Sequence, residues 1–150
     1  MAQDTLLTVA LAILLLPLGA FAVMIFTGRR LPRQGDWLSS SVIAAALVLA
    51  VSALYGKLTY HYAGTLELNF TWVDFHDVPG IGPLKIVLGI AVDNLTAIML
   101  VVVTLISTLV HLFSIGYMKG DVRYSRYFAY LGLFSFSMLL IVLANNLFLL

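Results

Sequence analysis

The sequence predicts an all-α polytopic membrane protein with a small extracytoplasmic β-hairpin between its second and third helices. Of its 150 residues, 62% are hydrophobic and only 10% are charged, whereas an average soluble domain carries about 25% charged residues. Four uncharged runs are each long enough to cross a bilayer. The charged residues lie between those runs, which is the arrangement that a polytopic membrane protein needs.

The same totals exclude several classes of function. Fifteen charged residues cannot cover a soluble enzyme of this size, and a net charge of +1 provides no basic field that would attract nucleic acid. The chain has no cysteine, which excludes disulfides, thiolate metal sites and cysteine nucleophiles. We therefore expect the lipid bilayer as a partner and no nucleic acid.

The predicted helices follow the apolar runs. The first, at about 5–27, contains Pro17, which should kink it or loosen one turn. A cleaved signal peptide is the alternative for this run, but the acidic start at Asp4 and the length of the run argue against it. The other helices are predicted at about 37–56, 94–118 and 127–144, and a fifth begins at about 146.

The last apolar run predicts that the protein is longer. It starts at Asn146 and reaches Leu150 with no cap, glycine, proline or charge to close it. Membrane segments usually end in such signals. We expect residues 1–150 to be the N-terminal part of one transmembrane domain.

The basic residues predict the orientation of the helices. The two short loops at 28–36 and 119–126 hold six of the eight lysines and arginines, which makes them cytoplasmic by the positive-inside rule. The N-terminus and the acidic loop at 57–93 then lie on the other side. The predicted location is the cell inner (plasma) membrane.

The long outer loop has the pattern of a hairpin at about 66–92. Apolar and polar residues alternate from Leu66 to Trp72, which is typical of a strand. A turn cluster follows at 79–83, and Lys85 to Val92 reads as a second strand. Because a lone hairpin is marginal in water, we expect it to rest on the helix ends or on a neighbouring subunit.

The third helix carries most of the candidate functional residues. From residue 104 its polar residues recur at steps of 3, 1, 3 and 3, which places them on one helical face. One interpretation is that these hydroxyls hydrogen-bond neighbouring helices or their own backbone. The other is a hydrated proton path with a titratable imidazole. The proton-path candidates are Thr104, Ser107, Thr108, His111 and Ser114.

Polar residues at the helix ends have structural or interface interpretations. Asp93 suits the N-cap of the third helix, and Gly120 beside Asp121 suits a helix stop and turn. The block Tyr124, Ser125 and Arg126 reads either as an interfacial belt or as a docking surface for another subunit. The sequence contains no metal, phosphate-loop or nucleophile-elbow motif.

Several short motifs in the second half of the chain carry a family resemblance. They are Asp-Asn-Leu at 93–95, Val-His at 110–111, Gly-Tyr-Met at 116–118, Gly-Asp at 120–121, Tyr-Ser-Arg-Tyr-Phe-Ala-Tyr at 124–130 and Leu-Ala-Asn-Asn-Leu at 143–147. This stretch resembles the large antiporter-like membrane subunit of respiratory NADH:quinone oxidoreductase (complex I), subunit L in bacteria. Before Asp93 the resemblance is one of topology alone. Tyr127 and Asn145 depart from the family's usual Phe and Asp.

The resemblance implies a proton-translocating membrane-arm subunit that couples electron transfer in other subunits to proton pumping. It implies that the chain belongs to a translocase without holding a redox centre, that NADH, FMN, iron–sulfur clusters and quinone bind other subunits, and that the partners are other membrane-arm subunits. The family's pumping carboxylate and lysines would follow residue 150, which fits apolar runs that lack charges. The alternatives are the large subunit of a multi-subunit sodium/proton antiporter and a non-transporting membrane scaffold.

Overall fold

A computed structural model of the chain describes residues 3–31, 35–59, 66–78 and 82–145. Within them lie four α-helices and one antiparallel pair of strands, in the order α1 (Gln3–Thr27), α2 (Asp36–Thr59), β1 (Leu66–Val78), β2 (Gly82–Val92), α3 (Asn94–Tyr117) and α4 (Tyr124–Leu143). Each helix is long and apolar enough to cross a membrane. The predicted fold class, a multi-pass helical membrane protein with one hairpin, is therefore confirmed.

The four helices form a closed bundle in which each helix contacts the next and α4 returns to α1. The start of α2 lies beside the end of α3 and the start of α4, while the end of α2 contacts the residue just before α3. We call the first of these regions, where α3 turns into α4, the turn end of the bundle. The opposite end, where β1 and β2 lie, is the hairpin end.

Three helices extend beyond their predicted bounds, α1 by the two residues before Thr5. The helix predicted at 37–56 runs from Asp36 to Thr59, and the helix predicted from 127 begins at Tyr124. The prediction stopped each apolar run at a charge, but Asp36 and Lys57 are buried within α2. At the start of α4 the Arg123 carbonyl accepts a 3.0 Å hydrogen bond from the Tyr127 N–H, which begins the helix a turn earlier. The helix predicted from 146 lies outside the described residues.

The first helix runs through Pro17 without a break. Proline removes one backbone hydrogen bond inside a helix, and the buried Pro17 lies against α4. Gly132 is the residue of α4 that meets it, and a side chain added there would come within 3.4 Å of the Pro17 carbonyl oxygen. Close packing of two helices at a small residue is typical of membrane bundles.

The hairpin lies on the helix ends, one of the two supports expected for it. β1 and β2 pair from Leu66 opposite Val92 to Val78 opposite Gly82, with the register shifting at two points. Ile90 also forms a bridge with Ala144, just after α4. Part of the predicted turn at 79–83 lies outside the described residues.

The buried core has two parts. At the turn end, Met24, Tyr124, Phe128 and Ala129 pack together. The larger part extends to the hairpin end and includes both strand residues and helix residues, so that the hairpin closes the apolar core. Its buried members are Leu6, Ala10, Ile13, Leu14, Ile43, Ala46, Ala50, Ala53, Ile90, Val92, Leu100, Val103, Leu139 and Leu143.

Candidate functional site

The polar residues of α3 face the bundle interior. Thr104, His111 and Ser114 are buried, and Ser107 and Thr108 are partly buried. The opposite face of the helix is exposed and apolar, as lipid or further apolar protein requires. The helical spacing in the sequence therefore placed this face correctly.

The two threonines satisfy their hydroxyl groups within their own helix. Thr104 Oγ1 donates to the Leu100 carbonyl oxygen at 2.7 Å, and Thr108 Oγ1 donates to the Thr104 carbonyl oxygen at 2.7 Å. Such bonds satisfy a buried hydroxyl without a partner helix. They match the packing interpretation of the polar face for these two positions.

The serines of the polar face make hydrogen bonds to α4 instead. Ser135 Oγ donates to Ser107 Oγ at 3.3 Å, and Ser114 Oγ lies 3.0 Å from the Tyr127 hydroxyl. Tyr127 is the residue that stands where the family pattern usually has Phe. Its hydroxyl therefore adds a polar contact between α3 and α4 that phenylalanine cannot make.

His111 lies between the two serine contacts and is 1% exposed. Its Nδ1 is 2.8 Å from the Ser107 carbonyl oxygen. Because a carbonyl can only accept, Nδ1 carries the hydrogen in the neutral ring and Nε2 carries the lone pair. Within the described part of the chain, Nε2 is buried and has no hydrogen-bond partner. The ring also contacts Phe128, with 6.0 Å between the ring centroids.

The polar face of α3 extends along only half of the length of the helix. From Thr104 toward the turn end the buried positions are polar, but from Val103 toward the hairpin end they are Leu100 and Ala97. The buried face of α3 is thus polar near the turn end and apolar near the hairpin end. This segregation is not visible in the composition of the helix as a whole.

A buried carboxylate at the turn end was missed by the sequence prediction. Asp36 is 3% exposed; its Oδ2 accepts a 2.9 Å hydrogen bond from the Tyr124 hydroxyl, and its Oδ1 accepts from the Trp37 N–H at 2.6 Å. The two side chains are 88 residues apart in sequence. Both line an open cleft of about 730 Å³ between the start of α2 and the α3–α4 turn.

A buried ammonium group at the hairpin end was also missed. Lys57 is 4% exposed, and its Nζ donates to the Val92 carbonyl oxygen at 2.7 Å. The expectation that the helices hold no lysine or carboxylate was therefore wrong for α2. It failed because each charge sits at the boundary of an apolar run, where it reads as interfacial. No local signal in the sequence distinguishes a buried boundary charge from a solvated one.

Asp93 acts as the N-cap of α3. Its carboxylate accepts a 2.6 Å hydrogen bond from the Thr96 N–H. That bond, aided by the nearby positive charge of Lys57, lowers the pKa of the Asp93 carboxyl below its ordinary value. A carboxylate at a helix N-terminus also complements the helix dipole. The residue thus stabilises the junction between the hairpin and α3.

The other candidates near the turn end divide into inward and outward residues. Tyr124 and Ser125 are buried, and Ser125 Oγ lies where a side chain at Gly28 would have to go. Asp121 is exposed, and its Oδ1 accepts from the Arg123 N–H at 2.6 Å. Arg126 is exposed. Among the described residues, no group of three or more His, Asp or Glu side chains could hold a metal ion.

Comparison with known proteins gives the chain its family. The family described as NADH-ubiquinone oxidoreductase (complex I), chain 5 N-terminus, matches residues 78–128. NADH-quinone oxidoreductase subunit L of Neisseria meningitidis is 36% identical over 142 residues, which are 93% of this chain and 20% of that protein. NADH-ubiquinone oxidoreductase chain 5 of Trichophyton rubrum is 38% identical over 138 residues, 91% of this chain and 20% of that protein. This chain belongs to the subunit L/chain 5 family.

The similarity to subunit L reaches further than the motifs indicated. A match over 93% of the chain includes most of α1, α2 and the hairpin, whereas the motifs begin at Asp93. Apolar membrane helices use few residue types, so short motifs are scarce there even where sequences are related. The chain spans about a fifth of the length of these relatives, since each alignment covers 20% of the relative.

The second departure from the family pattern, at Asn145, also has a structural partner. Asn145 stands where Asp is usual, and its Nδ2 donates to Asn69 Oδ1 of β1 at 2.7 Å. A carboxylate could not donate this hydrogen bond. Gly89 lies beside the two amides, and a side chain at that position would collide with both of them. The asparagine therefore joins the hairpin to the end of α4.

Proposed function

We propose that this chain forms four membrane helices of a proton-translocating membrane-arm subunit of NADH:quinone oxidoreductase. The observation that carries the proposal is the buried polar face of α3, with His111 at its centre, in a member of the subunit L/chain 5 family. Buried polar and titratable groups in a membrane helix are costly, and they commonly line ion or proton routes.

The proposed route begins at the turn end. Hydroxyl and imidazole groups follow one another from Ser114 through His111 to Ser107 and Thr104. The His111 Nε2 lone pair gives this series one group that can take up a proton. Beyond Thr104 the buried positions are apolar, so a route through this half of the bundle must continue toward other parts of the full-length protein.

Electron transfer belongs to other subunits in this proposal. NADH, FMN, iron–sulfur clusters and quinone would bind there, and this subunit would move protons in response. The relatives' names support an oxidoreductase subunit over a sodium/proton antiporter or a membrane scaffold, because each contains the words NADH-quinone or NADH-ubiquinone oxidoreductase.

The proposed orientation places the turn end in the cytoplasm and the hairpin outside, in the cell inner (plasma) membrane. It is supported by the six basic residues in the two connections at the turn end. Protons would thus approach the polar half of α3 from the cytoplasmic side.

The proton route can be tested with His111→Gln in the full-length subunit, assembled with its complex in liposomes. The glutamine amide can still donate to the Ser107 carbonyl oxygen, but it cannot carry a proton at neutral pH. We expect fewer protons pumped per NADH oxidised, measured with a pH-sensitive dye. Ser137→Ala is the control, because Ser137 is exposed on α4 and bonds its own helix backbone at Leu133. Unchanged pumping in a fully assembled variant would leave His111 as a packing residue.

Other membrane-arm subunits are the proposed partners, with Arg126 as a contact. It is exposed beside two buried residues of the same block, so its charge faces outward from the bundle. We expect Arg126→Ala to lower the fraction of assembled complex on native gels, and Arg126→Lys to lower it less. Normal assembly with lost pumping would contradict a docking role.

A further inference from the structure

The cleft at the turn end has exposed residues along its edge, which we call its rim, and a buried carboxylate at its base, which we call its floor. Lys119, Gly120, Asp121 and Val122 are exposed along its rim, where α3 turns into α4. Its floor contains Asp36 and Tyr124, which are 3% and 8% exposed. With a volume of about 730 Å³, the cleft has room for many water molecules. Water therefore has access to the neighbourhood of a buried carboxylate.

The hydrogen bonds of Asp36 hold the carboxylate in place. Oδ2 accepts from the Tyr124 hydroxyl at 2.9 Å, and Oδ1 accepts from the Trp37 N–H at 2.6 Å. Tyr124 is in turn fixed by its ring contact with Phe128, with 5.0 Å between the centroids. The carboxylate is thus held in one position at the base of the cleft that it lines.

The cleft borders the end of α3 that carries the polar face. Ile115 and Gly116 line it, and they directly follow Ser114, which contacts the Tyr127 hydroxyl. The Phe128 ring, which supports Tyr124, also packs against the His111 ring. Asp36 therefore lies near the end of α3 at which the buried polar series through Ser114 and His111 begins.

We propose that this cleft is the proton-uptake site of the subunit, with the Asp36 carboxylate as the acceptor and the Tyr124 hydroxyl as the group that orients it. In the uptake step an O–H bond of a hydronium ion in the cleft breaks, an O–H bond forms on Asp36, and the hydronium leaves as water. The inference rests on the proposed proton-translocating function, and it adds the place where the proton enters.

The test uses the full-length subunit in its complex, reconstituted in liposomes, with Asp36→Asn, Asp36→Glu and, as the control, Glu67→Gln. In D36N the amide oxygen can accept from the Trp37 N–H while the amide nitrogen donates to the Tyr124 hydroxyl, and the side chain keeps its size, so that packing is retained. We expect NADH-driven proton pumping to fall about a hundredfold, the low end of what a positioned acid–base group contributes. D36E should restore most of the rate, and E67Q, which changes an exposed acid of β1 at the hairpin end, should pump like the wild type.

Rescue by small weak acids separates uptake from a structural role. Azide or formate can diffuse into the cleft and carry protons to the position that the carboxylate occupied, so each should raise pumping in D36N and leave the wild type unchanged. Normal pumping by D36N would overturn the proposal. A loss that neither D36E nor a weak acid restores would overturn it as well, because it would make Asp36 a structural residue. A wild-type complex that does not pump would instead refute the proposed function.

Discussion

The two ends of α2 each bury one charge, and they differ in what holds it. Asp36 and Lys57 are almost equally buried, at 3% and 4% exposure. Each complements the helix dipole at its own end. Asp36 is held by a side chain, the Tyr124 hydroxyl, and lines an open cleft. Lys57 is held by a backbone carbonyl, that of Val92, under the hairpin.

Because of this difference, Asp36 is suited to proton exchange, whereas Lys57 is suited to fixing the structure. A hydroxyl and a carboxylate next to water can rearrange when a proton arrives. A strand carbonyl cannot turn away from its lysine without moving β2. The same helix thus presents a reactive end and an anchoring end, although nothing in its apolar sequence distinguishes the two.

The largest expected effect is a charge reversal at the anchoring end. Lys57→Glu removes the donor to the Val92 carbonyl and places a buried negative charge near Asp93. An uncompensated buried charge of this kind costs about 3–5 kcal/mol. We expect the unfolding free energy of the full-length protein in detergent to fall by that amount. We also expect little of the variant to assemble into its complex. Lys57→Arg keeps the charge and the donor and serves as the control; equal stability of the two variants would contradict an anchoring role.

An intermediate effect is expected at the reactive end. Tyr124→Phe removes the hydroxyl that donates to Asp36, at a cost of about 1–2 kcal/mol. The loss should be smaller than at Lys57, because water from the cleft can replace the hydroxyl as a donor. Thermal unfolding measures it, with Tyr130→Phe, an exposed tyrosine of the same helix, as the control. A Tyr124→Phe variant less stable than Lys57→Glu would reverse the comparison.

The smallest effect concerns Asp93, next to the anchoring end. Asp93→Asn keeps an N-cap but loses the negative charge, at a cost of about 0.3–1 kcal/mol. Because the folded pKa of Asp93 is lowered from its ordinary value of 3.8, its charge stabilises the protein at higher pH, and this stability is lost as the pH falls through the folded pKa.

The measurement is the difference in unfolding free energy between wild type and Asp93→Asn as the pH is lowered. The difference should stay constant above about pH 5 and shrink below about pH 4. A difference that widens in acid would mean that the carboxylate is stabilised in its protonated form instead.

Sequence patterns predicted most of the fold because the signals involved are local. The apolar runs located all four described helices, and the steps of 3, 1, 3 and 3 located the face of α3 that turns inward. Asp93 was identified as a cap because its partner, Thr96, is three residues away.

Only half of the candidate site could be predicted, because its other contacts join residues that are far apart in the sequence. The Asp36–Tyr124 hydrogen bond spans 88 residues and the Lys57–Val92 bond spans 35. Whether a charge beside an apolar run is buried depends on what packs over it, which is a property of the assembled bundle. Ser135, which meets Ser107, was likewise hidden within a helix that shows no polar stripe of its own.

The amide pair of Asn69 and Asn145 imposes an order on biogenesis. Its two members are 76 residues apart, and a chain that is made from its N-terminus delivers the hairpin long before residue 145. This contact of the hairpin must therefore wait until α3 and α4 have entered the membrane, whereas its contact with Lys57 of α2 can form earlier. The hydrogen bond between Asn69 and Asn145, which closes the bundle at the hairpin end, is then the last contact to form between these elements. Its formation indicates that four helices have been inserted in the correct topology.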